Sequence, residues 1–144
     1  FLGVKHDELC VHGLMLRMDG PFDERNLYGW HQDSCYDGFN AEPASGCVLW
    51  VPLVDVGEVN GGLILMPGSH VEGNVCEDQP TDDMLSTRQL IVPDRYVEKY
   101  QSKSLTASAR SCVVSYSNIF HKSGRNVSTK VRFTFIVRFN KRTN

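Results

Sequence analysis

Residues 130–140, with the sequence KVRFTFIVRFN, are the most regular stretch of this 144-residue chain. Their side chains alternate in character with a period of two, which is typical of a β-strand. One face is apolar and carries Val131, Phe133, Phe135, Val137 and Phe139. The other face carries Arg132, Thr134, Ile136 and Arg138. If the aromatic face is inside, Arg132 is a surface charge; if Arg132 is inside, it needs an anionic partner, because an unpaired buried charge is very costly.

Several shorter apolar stretches precede this strand and are separated by turns rich in glycine, proline and asparagine. They are residues 9–18, 27–33, 47–54, 62–66, 89–92, 111–117 and 119–121. Gly13 predicts a β-bulge in the first of them. Strands at this spacing, with almost no helical periodicity, predict an all-β barrel or sandwich with few or no helices. Since no linker divides the chain, we expect residues 1–144 to form a single domain.

The composition excludes several classes of protein. The formal net charge is −2, which does not suggest a nucleic-acid surface or an anionic membrane as partner. No apolar run approaches the length of a membrane span. The five cysteines are scattered and contain no C-x-x-C pair, so we expect free thiols in a reducing compartment. An intracellular, cytoplasmic location is therefore predicted.

The segment Gly29-Trp30-His31-Gln32-Asp33 ends the second apolar stretch. In an extended strand the side chains of residues i and i+2 leave the same face, so His31 and Asp33 would project together. With a second imidazole they would form the 2-His-1-carboxylate triad of non-haem Fe(II) oxygenases. Alone, an H-x-D sequence is more often a surface turn.

The order of the motifs is more informative than any one of them. WHQD at residues 30–33 is followed by NGGLILMPGSH at 60–70, by HKSGRNVS at 121–128, and by Arg132, eleven residues after His121. Each motif alone is a weak signal. Together, over roughly residues 9–139, they resemble the phytanoyl-CoA dioxygenase family of Fe(II)/2-oxoglutarate-dependent oxygenases. The resemblance implies a double-stranded β-helix, a jelly-roll of the cupin type.

The resemblance also implies a reaction and a set of site residues. The reaction is hydroxylation of a C–H bond in a small or lipid-like organic molecule, using Fe(II), 2-oxoglutarate and O2 and releasing succinate and CO2. The implied metal ligands are His31, Asp33 and His121. The implied cosubstrate-binding residues are Arg132, for the distal carboxylate, with Ser123, Gln32 and Trp50. A carboxylate at Asp33 argues against halogenation, because related halogenases carry a small residue there.

Other polar and aromatic residues near the motifs are weaker candidates. Substrate contacts are predicted for four residues that could equally be ordinary packing: Tyr36, Phe39, Tyr116 and Arg125. We expect His70 to be structural, and Asn126 and Ser128 to satisfy the backbone of their turn. The substrate itself is expected to be selected by the loops at residues 34–46 and 69–94.

Two alternatives to this enzyme remain open. The first is a jelly-roll binding protein that keeps the triad but has no activity. The second is a cupin metalloenzyme that does not use 2-oxoglutarate, and Arg132 argues against it because a buried guanidinium near the metal would have no task without a dicarboxylate.

The apolar face of residues 131–139 would point outward if Arg132 points inward. Members of the family resembled here usually carry upstream helices over this face, whereas almost nothing precedes the first strand in this chain. An apolar stripe of this kind is rarely left uncovered. We therefore expect either missing N-terminal residues or a second subunit of a homo-oligomer to cover it.

Overall fold

The computed structural model describes residues 2–36, 46–79 and 89–142. In these ranges the strands are β1 (Leu9–Asp19), β2 (Gly46–Pro52), β3 (Leu63–Leu65), β4 (Glu77–Asp78), β5 (Leu90–Ile91), β6 (Lys103–Ser104), β7 (Val113–Tyr116), β8 (His121–Ser123) and β9 (Arg132–Lys141). Within the same ranges, helical structure is limited to a four-residue helix, α1 (Asp94–Val97), and to 3-10 turns at His6–Glu8, Asp33–Cys35 and Ser69–Glu72. No helix in the described ranges has the length and apolar character needed to cross a membrane.

The strands form two main antiparallel sheets. The larger sheet has the order β1-β9-β2-β7, and the smaller has the order β6-β3-β8; a separate ladder joins β4 to β5. The expected all-β fold, a double-stranded β-helix with very little helix, is confirmed. The register of β1 against β9 shifts between Val11 and Gly13, as the predicted bulge requires.

The core lies between the two sheets and is built from alternate side chains of their strands. Its buried members are Val48, Trp50, Val56, Leu63, Leu65 and Ile136. Strand β9 contributes to this core on the face that carries Arg132 and Thr134, which are 1% and 0% exposed. Of the two orientations that the alternation left open, the structure therefore has the arginine face inside.

The opposite face of the larger sheet is apolar and open. We call it the outer face; on β1 it carries Val11, Leu14, Leu16 and Met18, which are 56–65% exposed. On β9 the aromatic residues predicted to point outward are partly buried by their neighbours: Phe133, Phe135, Val137 and Phe139. The register places Leu14 beside Val137 and Leu16 beside Phe135, so these apolar rows are continuous across the two strands.

The prediction of a strand over residues 27–33 is wrong. Only His31 makes a β-bridge there, and Asp33 begins a 3-10 turn. The buried side chain of Gln32 donates hydrogen bonds of 2.6 Å to the carbonyl oxygens of Gly73 and Asn118, so contacts to loop residues hold this segment in place of a strand partner. The other predicted strands are present, several of them shorter by a few residues than expected.

The NGGLILMPGSH motif is explained by the turns on either side of β3. Gly61 has φ +78°, and a Cβ added there would overlap the carbonyl oxygen of Gly124, so only glycine fits. Asn60 closes the preceding turn by accepting a hydrogen bond from the amide of Gly57 at 2.8 Å. After β3, the Ser69 hydroxyl accepts a hydrogen bond from the amide of Phe120 at 2.8 Å, which fixes the chain just before β8.

Candidate metal centre

Two histidines from distant parts of the chain are held against each other by their backbones. The amide of His31 donates to the carbonyl of His121, and the amide of His121 donates to the carbonyl of His31, both at 3.1 Å. Their ring centroids are 4.2 Å apart. Gln32 is extended (φ −126°, ψ 131°), so the side chain of Asp33 emerges on the same side as that of His31. One ligand atom from each of His31, Asp33 and His121 lies within 4.8 Å of the others.

The backbone also fixes which ring nitrogen of each histidine is available. Nδ1 of His31 lies 2.8 Å from the carbonyl oxygen of Gly29, and Nδ1 of His121 lies 3.0 Å from that of Ile119. A carbonyl oxygen can only accept, so each Nδ1 carries a proton and each Nε2 is the nitrogen left to face a metal ion. This is the arrangement by which metal-binding histidines are oriented in proteins.

The protonation states suit a cation. Burial and the neighbouring His121 lower the pKa of His31 to about 3, so this imidazole is neutral. Burial pushes the pKa of Asp33 upward, but His121 and Arg138 outweigh it and hold that pKa below its usual value. A carboxylate and neutral imidazoles are the forms that bind metal ions. These three residues could therefore hold a divalent metal.

The three side chains face a cavity of about 420 Å³. Its apolar wall comes from the core residues Val48, Trp50, Leu63, Leu65 and Ile136. Two tyrosines, Tyr28 and Tyr36, and two arginines, Arg17 and Arg138, also line it. A mostly apolar cavity with a few converging polar groups is typical of a small-molecule site.

Arg138 is a site residue that the sequence did not single out. Its Nε and Nη2 lie 3.2 Å from Oδ2 and Oδ1 of Asp33. The only available signal was its position on the same face of β9 as Arg132. Sequence alternation gives the face of a side chain, but it does not show what lies opposite.

Arg132 is enclosed by the protein and does not line the cavity described above. Its Nη2 donates to Oδ2 of Asp19 at 2.6 Å, and its Nη1 donates to the carbonyl oxygen of Gly61. Asp19 in turn accepts from Nε of Arg17 at 2.9 Å, so one carboxylate is shared between two guanidinium groups. Within the described residues, Nε of Arg132 and Oγ1 of Thr134 are buried and have no hydrogen-bond partner.

A family comparison and individual relatives agree with this architecture. The model of the family described as phytanoyl-CoA dioxygenase (PhyH) matches residues 11–134. The chain belongs to this family. It is 30% identical to a phytanoyl-CoA dioxygenase of Arabidopsis thaliana, over 73% of this chain and 35% of the relative, and 29% identical to an ectoine dioxygenase of Bordetella parapertussis, over 95% of this chain and 48% of the relative. The chain thus spans less than half the length of these curated relatives.

A solved structure shows the same fold. The crystal structure of EvdO2 from Micromonospora carbonacea var. aurantiaca, complexed with 2-oxoglutarate, superposes with a TM-score of 0.77 at 20% identity. The superposition covers 99% of this chain and 56% of that chain. The suspected membership of the phytanoyl-CoA dioxygenase family and the jelly-roll fold are both confirmed.

The residues that the resemblance to the phytanoyl-CoA dioxygenase family assigned to the cosubstrate are found in different settings. Ser123 and Trp50 line the cavity. Gln32 is fully buried beneath it: its amide nitrogen donates to two backbone carbonyls, and its oxygen accepts from the amide of Val75 at 2.9 Å. With its amide engaged in this way, Gln32 fixes the segment that carries the predicted ligands.

The four predicted substrate residues are also separated by the structure. Tyr36 lines the cavity. Tyr116 instead stacks on His70, with ring centroids 4.8 Å apart, which agrees with a structural role for His70. Arg125 is exposed and forms an ion pair with Glu24 outside the cavity. Phe39 lies outside the described residues.

Proposed function

We propose that this member of the phytanoyl-CoA dioxygenase family is an Fe(II)- and 2-oxoglutarate-dependent dioxygenase that hydroxylates a C–H bond of a small or lipid-like organic substrate, with release of succinate and CO2. The observation that supports it most directly is the convergence of His31, Asp33 and His121 on one cavity, with each Nε2 free and the carboxylate ionised.

The donor set fits Fe(II). Two imidazole nitrogens and one carboxylate oxygen, with the remaining positions open, are the ligands of non-haem Fe(II) oxygenases. Bound there, the iron would supply O2 activation and a chelation site for the 2-oxo acid. The protein orients the two imidazoles through the carbonyl oxygens of Gly29 and Ile119, and it places the apolar wall of the cavity beside them.

The buried arginine supports 2-oxoglutarate as the cosubstrate. Nε of Arg132 and the hydroxyl of Thr134 are two buried groups of one strand face without partners among the described residues. Unsatisfied buried donors are costly, so a pair of them is explained by a ligand that accepts from both. A carboxylate meets this requirement and matches the guanidinium. We therefore assign the distal carboxylate of 2-oxoglutarate to Arg132 and Thr134, together with Ser123, which lines the cavity.

Anaerobic titration with Fe(II) and 2-oxoglutarate tests the proposal. We expect the visible charge-transfer band of an iron-chelated 2-oxo acid, and its loss in Asp33→Ala. Arg132→Ala should weaken 2-oxoglutarate binding by about 2–5 kcal/mol, because it leaves a carboxylate without its partner. In air, a panel of organic acids, amino acids and fatty acyl compounds is then screened for succinate formation.

The outcomes of this test separate the alternatives. A chain that folds but gives no band with Fe(II) and 2-oxoglutarate would be an inactive jelly-roll. A chain that binds Fe(II) through the triad but is indifferent to 2-oxoglutarate and to Arg132→Ala would be a different cupin metalloenzyme.

We further propose that the outer face is covered in the working protein, by an upstream segment or by a second copy. Support comes from the exposure of Val11, Leu14, Leu16 and Met18, which together form an apolar surface. Light scattering should show that this chain associates. A longer chain that includes an upstream segment should instead have one defined oligomeric state. A monodisperse monomer of this chain alone would contradict the proposal.

We propose an intracellular location because the cysteines are not paired in disulfides. All five lie in the described ranges and all five are free thiols. Cys35 and Cys76 both approach the amide oxygen of Gln32, at 3.3 and 3.4 Å, yet are not joined. A thiol titration on protein purified without reductant should count five free groups; a count of three would contradict the proposed compartment.

A further inference from the structure

Arg138 holds both oxygens of the predicted metal ligand Asp33. Its Nε lies 3.2 Å from Oδ2 and its Nη2 lies 3.2 Å from Oδ1. The side chain of Asp33 is 8% exposed and that of Arg138 is 23% exposed, so water screens this pair much less than a surface ion pair. Two parallel N–H···O bonds fix the plane of the carboxylate as well as its position.

The two oxygens of Asp33 are not equivalent. Oδ1 also lies 3.9 Å from Nε2 of His121, which makes it the oxygen on the side of the other predicted ligands. A carboxylate oxygen has two lone pairs, so Oδ1 can accept from Nη2 and still bind an ion beside His121. An ion that chelated both oxygens would need the side of the carboxylate that the guanidinium occupies.

We propose that Arg138 is a positioning residue of the metal centre, which restricts Asp33 to coordination through one oxygen. This inference rests on the proposed function and deepens it. A facial triad leaves three coordination positions open, and a chelating 2-oxo acid needs two of them. A second oxygen from Asp33 would leave only the two positions that the 2-oxo acid needs, so the Arg138 fork keeps a third position open beside the cosubstrate.

The position of Arg138 on a central strand suits this role. It lies on β9, the strand between β1 and β2, opposite Gly13 on one side and Val48 on the other. Strand positions hold a functional group more closely than loops do. Asp33, by contrast, lies in a 3-10 turn, where the fork of a rigid neighbour is needed to hold the carboxylate in place.

Three variants separate the effect of the fork, the pair of parallel hydrogen bonds from Arg138 to Asp33, from the effect of the positive charge. Arg138→Met keeps the length of the side chain and removes the fork and the charge; Arg138→Lys keeps the charge but not the fork. Lys122→Met is the matched control, since Lys122 neighbours the ligand His121 in sequence but lies over the ring of Trp30, 4.7 Å from its centroid. Each variant is first checked for wild-type thermal unfolding, then loaded anaerobically with Fe(II) and titrated with 2-oxoglutarate. A parallel set is titrated with Co(II) alone, which gives the Kd for this metal ion and its absorption bands.

If Arg138 acts as proposed, the Kd for Co(II) rises by about tenfold or more in Arg138→Met, the range seen for metal affinity when outer partners of metal ligands are removed. Arg138→Lys should fall between this variant and the wild type, and Lys122→Met should match the wild type. The Co(II) absorption bands of Arg138→Met should shift, since Asp33 is then free to chelate.

Other outcomes overturn the inference. Identical Co(II) affinity and identical Co(II) bands in Arg138→Met and wild type remove Arg138 from the centre while the proposed function stands. Complete rescue by Arg138→Lys means that charge, not the fork, is what matters. If the wild type itself gives no band with 2-oxoglutarate, the proposed function fails, and the Co(II) spectra still decide whether Arg138 holds Asp33.

Discussion

The two faces of the larger sheet both depart from the usual distribution of side chains. On its inner face β9 buries Arg132 and Thr134 completely, and Arg132 forms an ion pair with Asp19. On the outer face β1 exposes Leu14 and Leu16 by more than half of their surface. A sheet that served only as a hydrophobic core would place the charges outside and the leucines inside.

The charged inner face and the apolar outer face have different causes. Burying Arg132 and partly burying Arg138 on one strand face costs free energy that paired anions offset, and those anions are the carboxylates of Asp19 and Asp33. Such an arrangement indicates a site rather than a core. Exposing the leucines costs the isolated sheet little free energy, but it leaves an apolar surface that another structural element can bury. The inner face thus indicates a functional site, and the outer face indicates a surface that another protein segment covers.

The largest expected effect is on the inner face. Arg132→Met should lower the free energy of unfolding by about 3–5 kcal/mol, because Asp19 is left as a buried charge that only Arg17 offsets. The double variant Asp19→Leu/Arg132→Met should recover part of this loss. Urea unfolding followed by tryptophan fluorescence measures both. Equal destabilisation of the single and the double variants would show that the ion pair is not the cause.

A matched pair of truncations compares the two faces directly. Ile136→Ala removes a side chain that is 6% exposed and should cost about 2–5 kcal/mol. Leu16→Ala removes one that is 56% exposed and should cost less than about 1 kcal/mol, since little apolar surface returns to water. The same unfolding experiment applies. Similar losses at both sites would mean that the outer face is already covered in solution.

A polar substitution on the outer face should change association without changing the fold. Leu14→Gln/Leu16→Gln is expected to reduce self-association of this chain, with a change in unfolding free energy of about 1 kcal/mol or less, because both side chains already contact water. Sedimentation velocity at several concentrations measures the first quantity. Unaltered association would point to another surface.

The smallest effect is expected far from both faces. Arg125→Ala removes an exposed ion pair with Glu24 and should change the unfolding free energy by about 0.5 kcal/mol or less. Arg125 lies outside the cavity, so 2-oxoglutarate affinity should be unchanged. A clear loss of substrate turnover in this variant would restore Arg125 as a substrate contact, as the sequence suggested.

How much the sequence could predict depends on the distance over which each interaction acts. Alternation within β9 predicted two faces of opposite character, because alternation is a local property of the chain. The i and i+2 spacing placed His31 and Asp33 together correctly, although their segment is not a strand, because Gln32 alone needs to be extended.

Interactions between distant residues were not predictable in the same way. Gln32 is fixed by carbonyls 41 and 86 residues away, and Arg138 meets a carboxylate 105 residues away. No local pattern encodes these pairs. Even the partner of Arg132, Asp19, lies 113 residues before it. The resemblance to the phytanoyl-CoA dioxygenase family supplied a ligand for Arg132 but gave no sign of the protein carboxylate that shares it.

The position of β9 has a consequence for how the protein is made. This strand follows the other eight described strands in the chain, yet it lies between β1 and β2, which are made much earlier. Until it inserts, β1 has no partner in the sheet and neither arginine has reached its carboxylate. Contacts over more than 100 residues form slowly, and open strand edges invite wrong pairing in the meantime. We therefore expect folding to be slow, with Arg138 reaching Asp33 of the candidate metal centre only at its final step.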